Sequence, residues 1–192
     1  MWCHLKNRLN EAHTGLRESI FQRRFMPWSV ALMVVCLSAL TTSAQVNRGD
    51  AFPDLRAVGL IESEMPETSG HVVLVDFWAS WCAPCKASFP ALARLHKKFE
   101  PRGLVIVAVS VDEKPAAYAA FLKKMQPPFV VAHDHEQKLV NAVKVPTMPT
   151  SYLIGRDGRV RFVHRGFHGS TTEAELRRNI ESMLNENNPP QP

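Results

Sequence analysis

Apolar positions along this chain fall into short unbroken runs separated by stretches of helical spacing. Residues 71–78 carry Val72, Val73, Leu74 and Val75 in succession, which suits a strand buried on both faces. Over residues 84–100, Phe89, Leu92, Leu95, His96 and Phe99 recur at three- and four-residue steps, while Arg94, Lys97 and Lys98 take the other side. That spacing predicts an amphipathic helix, kinked at Pro90. Pro101-Arg102-Gly103 ends it, and the valine-rich run 104–111 predicts a second buried strand. Strand, helix, strand in this order is a right-handed crossover unit. A second helix is predicted over 116–125, between Lys114-Pro115 and Pro127-Pro128. A short strand at 129–132 and a short helix at 136–142 follow. Residues 151–154 read as a strand, and Arg156-Asp157-Gly158-Arg159 as a hairpin turn that brings 160–165 back antiparallel to it. A final amphipathic helix is predicted over 172–185, capped by Thr171 or Thr172. Residues 45–70 form a Gly-, Pro-, Glu- and Ser-rich lead-in with a possible short strand at 54–57. The pattern is α/β: a mixed central sheet of about five strands flanked by helices, with no internal repeat.

The 192 residues, 45% of them hydrophobic, suffice for one ordinary core, expected over 45–186 with a disordered tail at 187–192. Residues 1–44 read as an address. Arg23-Arg24 precede an uncharged apolar run, 28–40, after which Thr42-Ser43-Ala44 offer small residues for cleavage, as in a signal peptide. That run is short of the ~18–20 residues a spanning helix needs, which favours cleavage over a permanent anchor. The long stretch before it leaves open a start nearer Met26 or a retained membrane tether. Arg23-Arg24-Phe25 also looks like a twin-arginine signal, although adjacent arginines are common in basic leaders. Cys36, between Val35 and Leu37, reads as an apolar leader residue and not as a lipid attachment site. Of the net charge of +5, +3 belongs to residues 1–44 and +2 to the rest. No basic stripe with interleaved aromatics appears, so nucleic-acid binding is not expected. An exported, periplasmic domain is.

Two of the four cysteines, Cys3 and Cys36, lie in the leader. Cys82 and Cys85 are then the thiols of the mature domain, separated by two residues at the junction of the first strand and the first helix. Such a pair exchanges electrons as a dithiol and a disulfide, in a compartment where thiols are normally oxidised. The competing use of the pair, half of a zinc site, needs two more ligands. His133 and His135 are the nearby pair in sequence, without a second cysteine pair, and read as surface polar residues. No metal and no cofactor are expected.

The segment Val75-Asp76-Phe77-Trp78-Ala79-Ser80-Trp81-Cys82-Ala83-Pro84-Cys85-Lys86, with Pro90 following, resembles the active-site segment of thioredoxins. The extra helix and strand over 115–132, and Pro149-Thr150-Ser151-Tyr152-Leu153-Ile154 before an Asp-Gly hairpin, are similar to the exported thioredoxin-like branch of TlpA, ResA and the cytochrome c maturation thioredoxins. The likeness runs over about 46–184. It implies a thioredoxin fold with an inserted helix and strand, and dithiol exchange with protein thiols and disulfides outside the cytoplasm.

Within that frame each site residue has a physical task. Cys82 falls at the last residue before the helix, where unpaired N–H groups and the positive end of the dipole favour a thiolate. It is the expected nucleophile, and Cys85, one turn in and more buried, the resolving thiol. Asp76 ends a strongly apolar run, so burial is expected to raise its pKa toward that of a general base for Cys85. Thioredoxins carry Asp at this position, whereas several exported relatives carry Asn. The resemblance implies a cis Met148-Pro149 bond beside the cysteines, with Pro146 as the rival, and a Met148 backbone that pairs with an extended substrate. Trp81 is expected to form an apolar rim, Trp78 to lie in the core, and Lys86 to be a solvated helix residue. Uncharged Ala83-Pro84 and the thioredoxin-like proline suggest a reductant, with a membrane thiol carrier as donor and apocytochrome c thiols or a copper-chaperone cysteine as clients. A peroxidase is the competing enzyme, disfavoured because Ser80-Trp81-Cys82 lacks the threonine and proline that activate peroxide. A partner-binding assembly module without turnover is the competing non-enzyme.

Overall fold

The computed structural model describes residues 44–60 and 65–186. The leader, apart from Ala44, and the tail 187–192 lie outside the described residues. Five strands form a single sheet in the order β3-β2-β1-β4-β5. The strands are β1 (Val72–Trp78), β2 (Leu104–Ser110), β3 (Val130–His133), β4 (Thr150–Ile154) and β5 (Val160–Arg165). The helices are α1 (Ala83–Phe99), α2 (Pro115–Met125), α3 (Lys138–Val143) and α4 (Ser170–Asn185), with a short 3₁₀ turn at Glu100–Arg102. β1, β2 and β3 run parallel, while β4 is antiparallel to β1 and β5 antiparallel to β4. This is the thioredoxin-like mixed sheet expected from the hydrophobic pattern, and α2 with β3 is the expected insert.

The central strand is β1, and every one of its residues is buried. The unbroken run Val72 to Val75, apolar on both faces, suits it for a place between helical layers, and pairs with Leu104 to Val107 across the parallel ladder. Gly103, at φ 93°, takes the left-handed conformation that turns the 3₁₀ segment into β2. At the other edge Gly158, at φ 74°, closes the β4–β5 hairpin, where Gly155 N–H donates to the Arg159 carbonyl at 2.8 Å.

α2 is no appendage. Trp78, from the end of β1, packs against Phe89 of α1 at 4.9 Å between ring centroids and against Phe121 of α2 at 4.3 Å; Phe89 and Phe121 lie 4.9 Å apart. The insert and the site helix therefore share one aromatic cluster over one face of the sheet. α4 seals the domain through Leu176, Ile180 and Met183, all buried. Ile180 has no exposed surface, so removing one of its methylenes leaves a void that its neighbours close only in part. Ile180→Val is expected to cost about 0.5–1.5 kcal/mol, read as a lower urea midpoint with unchanged m-value.

Three local expectations need correction. The possible strand at 54–57 is a turn, because Asp54 captures the backbone that a strand would pair: its Oδ1 accepts from Arg56 N–H at 2.9 Å and its carbonyl from Ala57 N–H at 3.1 Å. The last helix starts at Ser170 with Gly169 at its cap and no side-chain cap bond; Thr172 Oγ1 instead accepts from His168 N–H at 2.9 Å. His133 is not a surface residue. It is buried, stacks on Tyr118 at 4.6 Å, and its Nε2 bonds the Asp112 carbonyl at 2.6 Å, whereas His135 is exposed. α1 runs unbroken through Pro90, whose ring faces solvent. Among the described residues no helix is long and apolar enough to cross a membrane.

Candidate active site

β1 delivers the chain to the rim of the sheet at Trp78, and a tight turn follows in which Cys82 N–H donates to the Ala79 carbonyl at 3.1 Å. Cys82 is the cap residue of α1, in extended conformation at φ −85° and ψ 108°, and its Sγ accepts from Cys85 N–H at 3.2 Å. Pro84 sits in the first turn, where its missing N–H is no loss. Cys82 and Cys85 form a disulfide with an S–S distance of 2.06 Å and Cα atoms 5.3 Å apart. Cys85 has no exposed surface and Cys82 5%, so Cys82 is the sulfur that reaches the exterior, beside Trp81, which is 70% exposed. The Cys82 sulfur thus lies at the N-terminus of α1, where the first-turn N–H groups have no partner within the helix. Lys86 is exposed on the helix surface.

Asp76 lies under the helix. Side chains alternate along a strand, so Asp76 shares the face of Trp78, and Trp78 touches Phe89 of α1. Asp76 is 1% exposed and stands opposite Ser151 in the β1–β4 register. The Ser151 hydroxyl donates to Asp76 Oδ1 at 2.6 Å, while Oδ2 has no hydrogen-bond partner among the described residues. Burial pushes the Asp76 carboxyl up to about 7, and the Ser151 hydrogen bond opposes part of that rise. A buried acid that titrates near neutrality, beneath the helix that carries Cys85, can take up and return a proton there.

The third part comes from the turn before β4. Phe77 pairs with Thr150, so continuing the register sets Pro149 opposite Trp78, at the edge of the cysteine turn. Met148-Pro149 is cis, Pro149 is buried and Met148 half-buried. The Pro149 carbonyl accepts from Gly166 N–H at 2.7 Å and the Thr150 hydroxyl donates to the Thr147 carbonyl at 2.8 Å, fixing this loop on both sides. Pro146, by contrast, is exposed and in a trans peptide. The topology thus brings Cys82, Cys85 and Asp76 together with Met148 and Pro149, while Trp81 stands out at the rim. Among the described residues no group of His, Cys, Asp or Glu is arranged to hold a metal ion.

Two further polar groups of the site escape the sequence reading. Ser151 is invisible as a partner of Asp76 until the register of β1 and β4 is known. Asp112 was readable: like Asp76 it ends a valine-rich run, and it too is buried, accepting from Ser80 and Ser110.

Comparison with known proteins fits this geometry. The Redoxin family model matches residues 47–180. The chain belongs to the redoxin family. Among its relatives, the thiol-disulfide oxidoreductase ResA of Bacillus subtilis is 30% identical over 148 residues, covering 72% of this chain and 83% of that protein. ResA of Oceanobacillus iheyensis is 28% identical over 169 residues, covering 84% and 88%. A Chlorobium tepidum crystal structure described as a thiol:disulfide interchange protein of the DsbE type superposes with a TM-score of 0.66 at 33% identity, covering 73% of this chain and 99% of that one. This redoxin therefore sits on the ResA-like branch, and with its Cys82–Cys85 couple it is a thiol-disulfide oxidoreductase.

Proposed function

We propose that this redoxin reduces disulfides of protein clients outside the cytoplasm. In its dithiol form the Cys82 thiolate attacks one sulfur of a client disulfide, and the other client sulfur leaves as a thiolate that takes a proton from water. The client is then held through a mixed disulfide. Asp76 accepts the proton of the Cys85 thiol, and the Cys85 thiolate attacks Cys82 Sγ, so that the mixed disulfide breaks and the second client thiolate departs. Two electrons have passed to the client, and the protein is left with the Cys82–Cys85 disulfide seen in the structure. A membrane thiol carrier returns it to the dithiol by the same exchange in reverse. Trp81, Met148 and Pro149 provide the groove in which an extended client segment lies, with backbone pairing at Met148 supplying affinity without sequence demand. Apocytochrome c thiols and copper-chaperone cysteines are the proposed clients, and residues 1–44 the export signal or tether.

The observation that carries this reading is the placement of the Cys82–Cys85 couple at the start of α1, above a buried acid and beside the Met148-Pro149 edge. No charged residue lies between the cysteines, so Ala83-Pro84 adds nothing to the helix terminus in stabilising the thiolate. That fits a reductant rather than a strong oxidant. The purified protein should reduce insulin with dithiothreitol as donor, and equilibration against glutathione should give a potential of about −230 mV or lower. A potential near the roughly −120 mV of a strong oxidant would reverse the proposed direction.

A further inference from the structure

Asp112 follows the end of β2 and is 2% exposed. Its carboxylate accepts the Ser80 backbone N–H at 3.1 Å on Oδ1 and 3.0 Å on Oδ2, and the Ser80 hydroxyl at 2.8 Å on Oδ1. The Ser110 hydroxyl donates to Oδ2 at 2.9 Å. Both donor groups of Ser80, its N–H and its hydroxyl, therefore end on one carboxylate 32 positions away in sequence. Ser80 is inside the Ala79–Cys82 turn, the short segment that carries Trp81 and Cys82 from β1 to α1.

The carboxylate is itself held from behind. Asp112 N–H donates to Ser110 Oγ at 3.1 Å, and the Asp112 carbonyl meets His133 Nε2 at 2.6 Å. His133 lies flat on Tyr118 of α2, with an interplanar angle of 12°, and the Tyr118 hydroxyl donates to the Val131 carbonyl at 3.1 Å. Gln137 Nε2 donates to the neighbouring Val111 carbonyl at 2.9 Å. Asp112 is thus the point at which the inserted helix and strand take hold of the cysteine turn.

We propose that Asp112 is a positioning residue for disulfide exchange: through Ser80 it holds the Ala79–Cys82 turn so that the Cys82 sulfur meets a client disulfide in line with the bond to be broken. The inference rests on the reading of Cys82 as the attacking thiol. Attack on a disulfide needs the three sulfurs nearly collinear, and the middle of the turn has little packing of its own to fix the direction of Cys82: Ala79 is buried, but Ser80 is half-buried and Trp81 faces solvent. A carboxylate with several charge-assisted donors supplies that rigidity.

The test measures steady-state insulin reduction by wild type, Asp112→Ala, Ser80→Ala and the double variant, at a temperature where circular dichroism shows each folded. Asp112→Ala is expected to lower kcat by ~10- to 100-fold with a much smaller change in KM, because Met148 and Pro149, the part of the groove on the other loop, are untouched. Ser80→Ala, which keeps the backbone bond, should fall between wild type and Asp112→Ala, and should add nothing further in the Asp112→Ala background. Should Asp112→Ala fail to fold, Asp112→Asn, of the same size, is read with Ser80→Ala for the same fall in kcat. A folded Asp112 variant with kcat within about twofold of wild type overturns the proposal, as does a loss confined to KM. Cys82→Ser is run alongside. A wild type no more active than Cys82→Ser overturns the functional reading itself, whereas an active wild type with an indifferent Asp112 variant overturns this inference alone.

Discussion

Asp76→Asn should make the protein more stable and less active, both in a pH-dependent way. A carboxyl whose folded pKa lies above its unfolded value binds more protons folded than unfolded between the two. Stability therefore falls as pH rises through that interval, here from 3.8 to about 7. Above it the ionised Asp76 costs the fold on the order of 4 kcal/mol. Asparagine has the shape of the protonated acid, keeps the acceptor for the Ser151 hydroxyl, and never ionises. At pH 8 the variant is expected to exceed wild type by that amount, a rise in Tm of roughly 10 °C, and at pH 4 to match it within ~1 kcal/mol. Thermal melts at the two pH values check this; an equal difference at both would mean that Asp76 carries no buried charge. The same substitution removes the proton acceptor proposed for Cys85, so turnover at neutral pH should drop by ~10²-fold. An unchanged pH profile of insulin reduction would withdraw the base role while leaving the stability result standing.

Cys85→Ser should turn the protein into a trap. Cys82, the sulfur proposed to attack, keeps its place on the N-terminus of α1, so the first exchange is expected to proceed. Release then has to wait for an external thiol. An adjacent thiol one helical turn away acts at an effective concentration that no free thiol reaches, and its loss is expected to slow turnover by ~10³-fold or more. A stoichiometric client adduct, cleaved by dithiothreitol, should accumulate on Cys82 and be absent in Cys82→Ser. Non-reducing electrophoresis and mass spectrometry of the adducts decide it. Adducts that form on Cys85 in Cys82→Ser as readily as on Cys82 in Cys85→Ser would mean that the two sulfurs exchange roles. In whole cells the same variant would name the clients.

Much of this molecule is legible in the sequence because its main signals are local. Four valines and leucines in a row suffice to mark β1, and the step of three and four from Phe89 to Phe99 marks α1. The two cysteines and the acid before them follow from the same local logic. What was not legible depends on partners distant along the chain. His133 looks like any polar residue beside a loop until α2 folds back and lays Tyr118 over its ring. The stretch at 54–57 was open to reading as a short strand, yet Asp54 bonds two backbone N–H groups and closes a turn. Ser151 matters through a cross-strand register that no spacing rule reveals. Asp112 is the exception, since an acid directly after a valine-rich run announces itself as plainly as Asp76 does.

The aromatic cluster of Trp78, Phe89 and Phe121 limits how this scaffold can be shortened. A minimal version made by deleting the inserted helix would bare Trp78 and Phe89 beside the cysteine turn and leave an adhesive apolar face there. Any engineered miniature must first replace Phe121 with another lid.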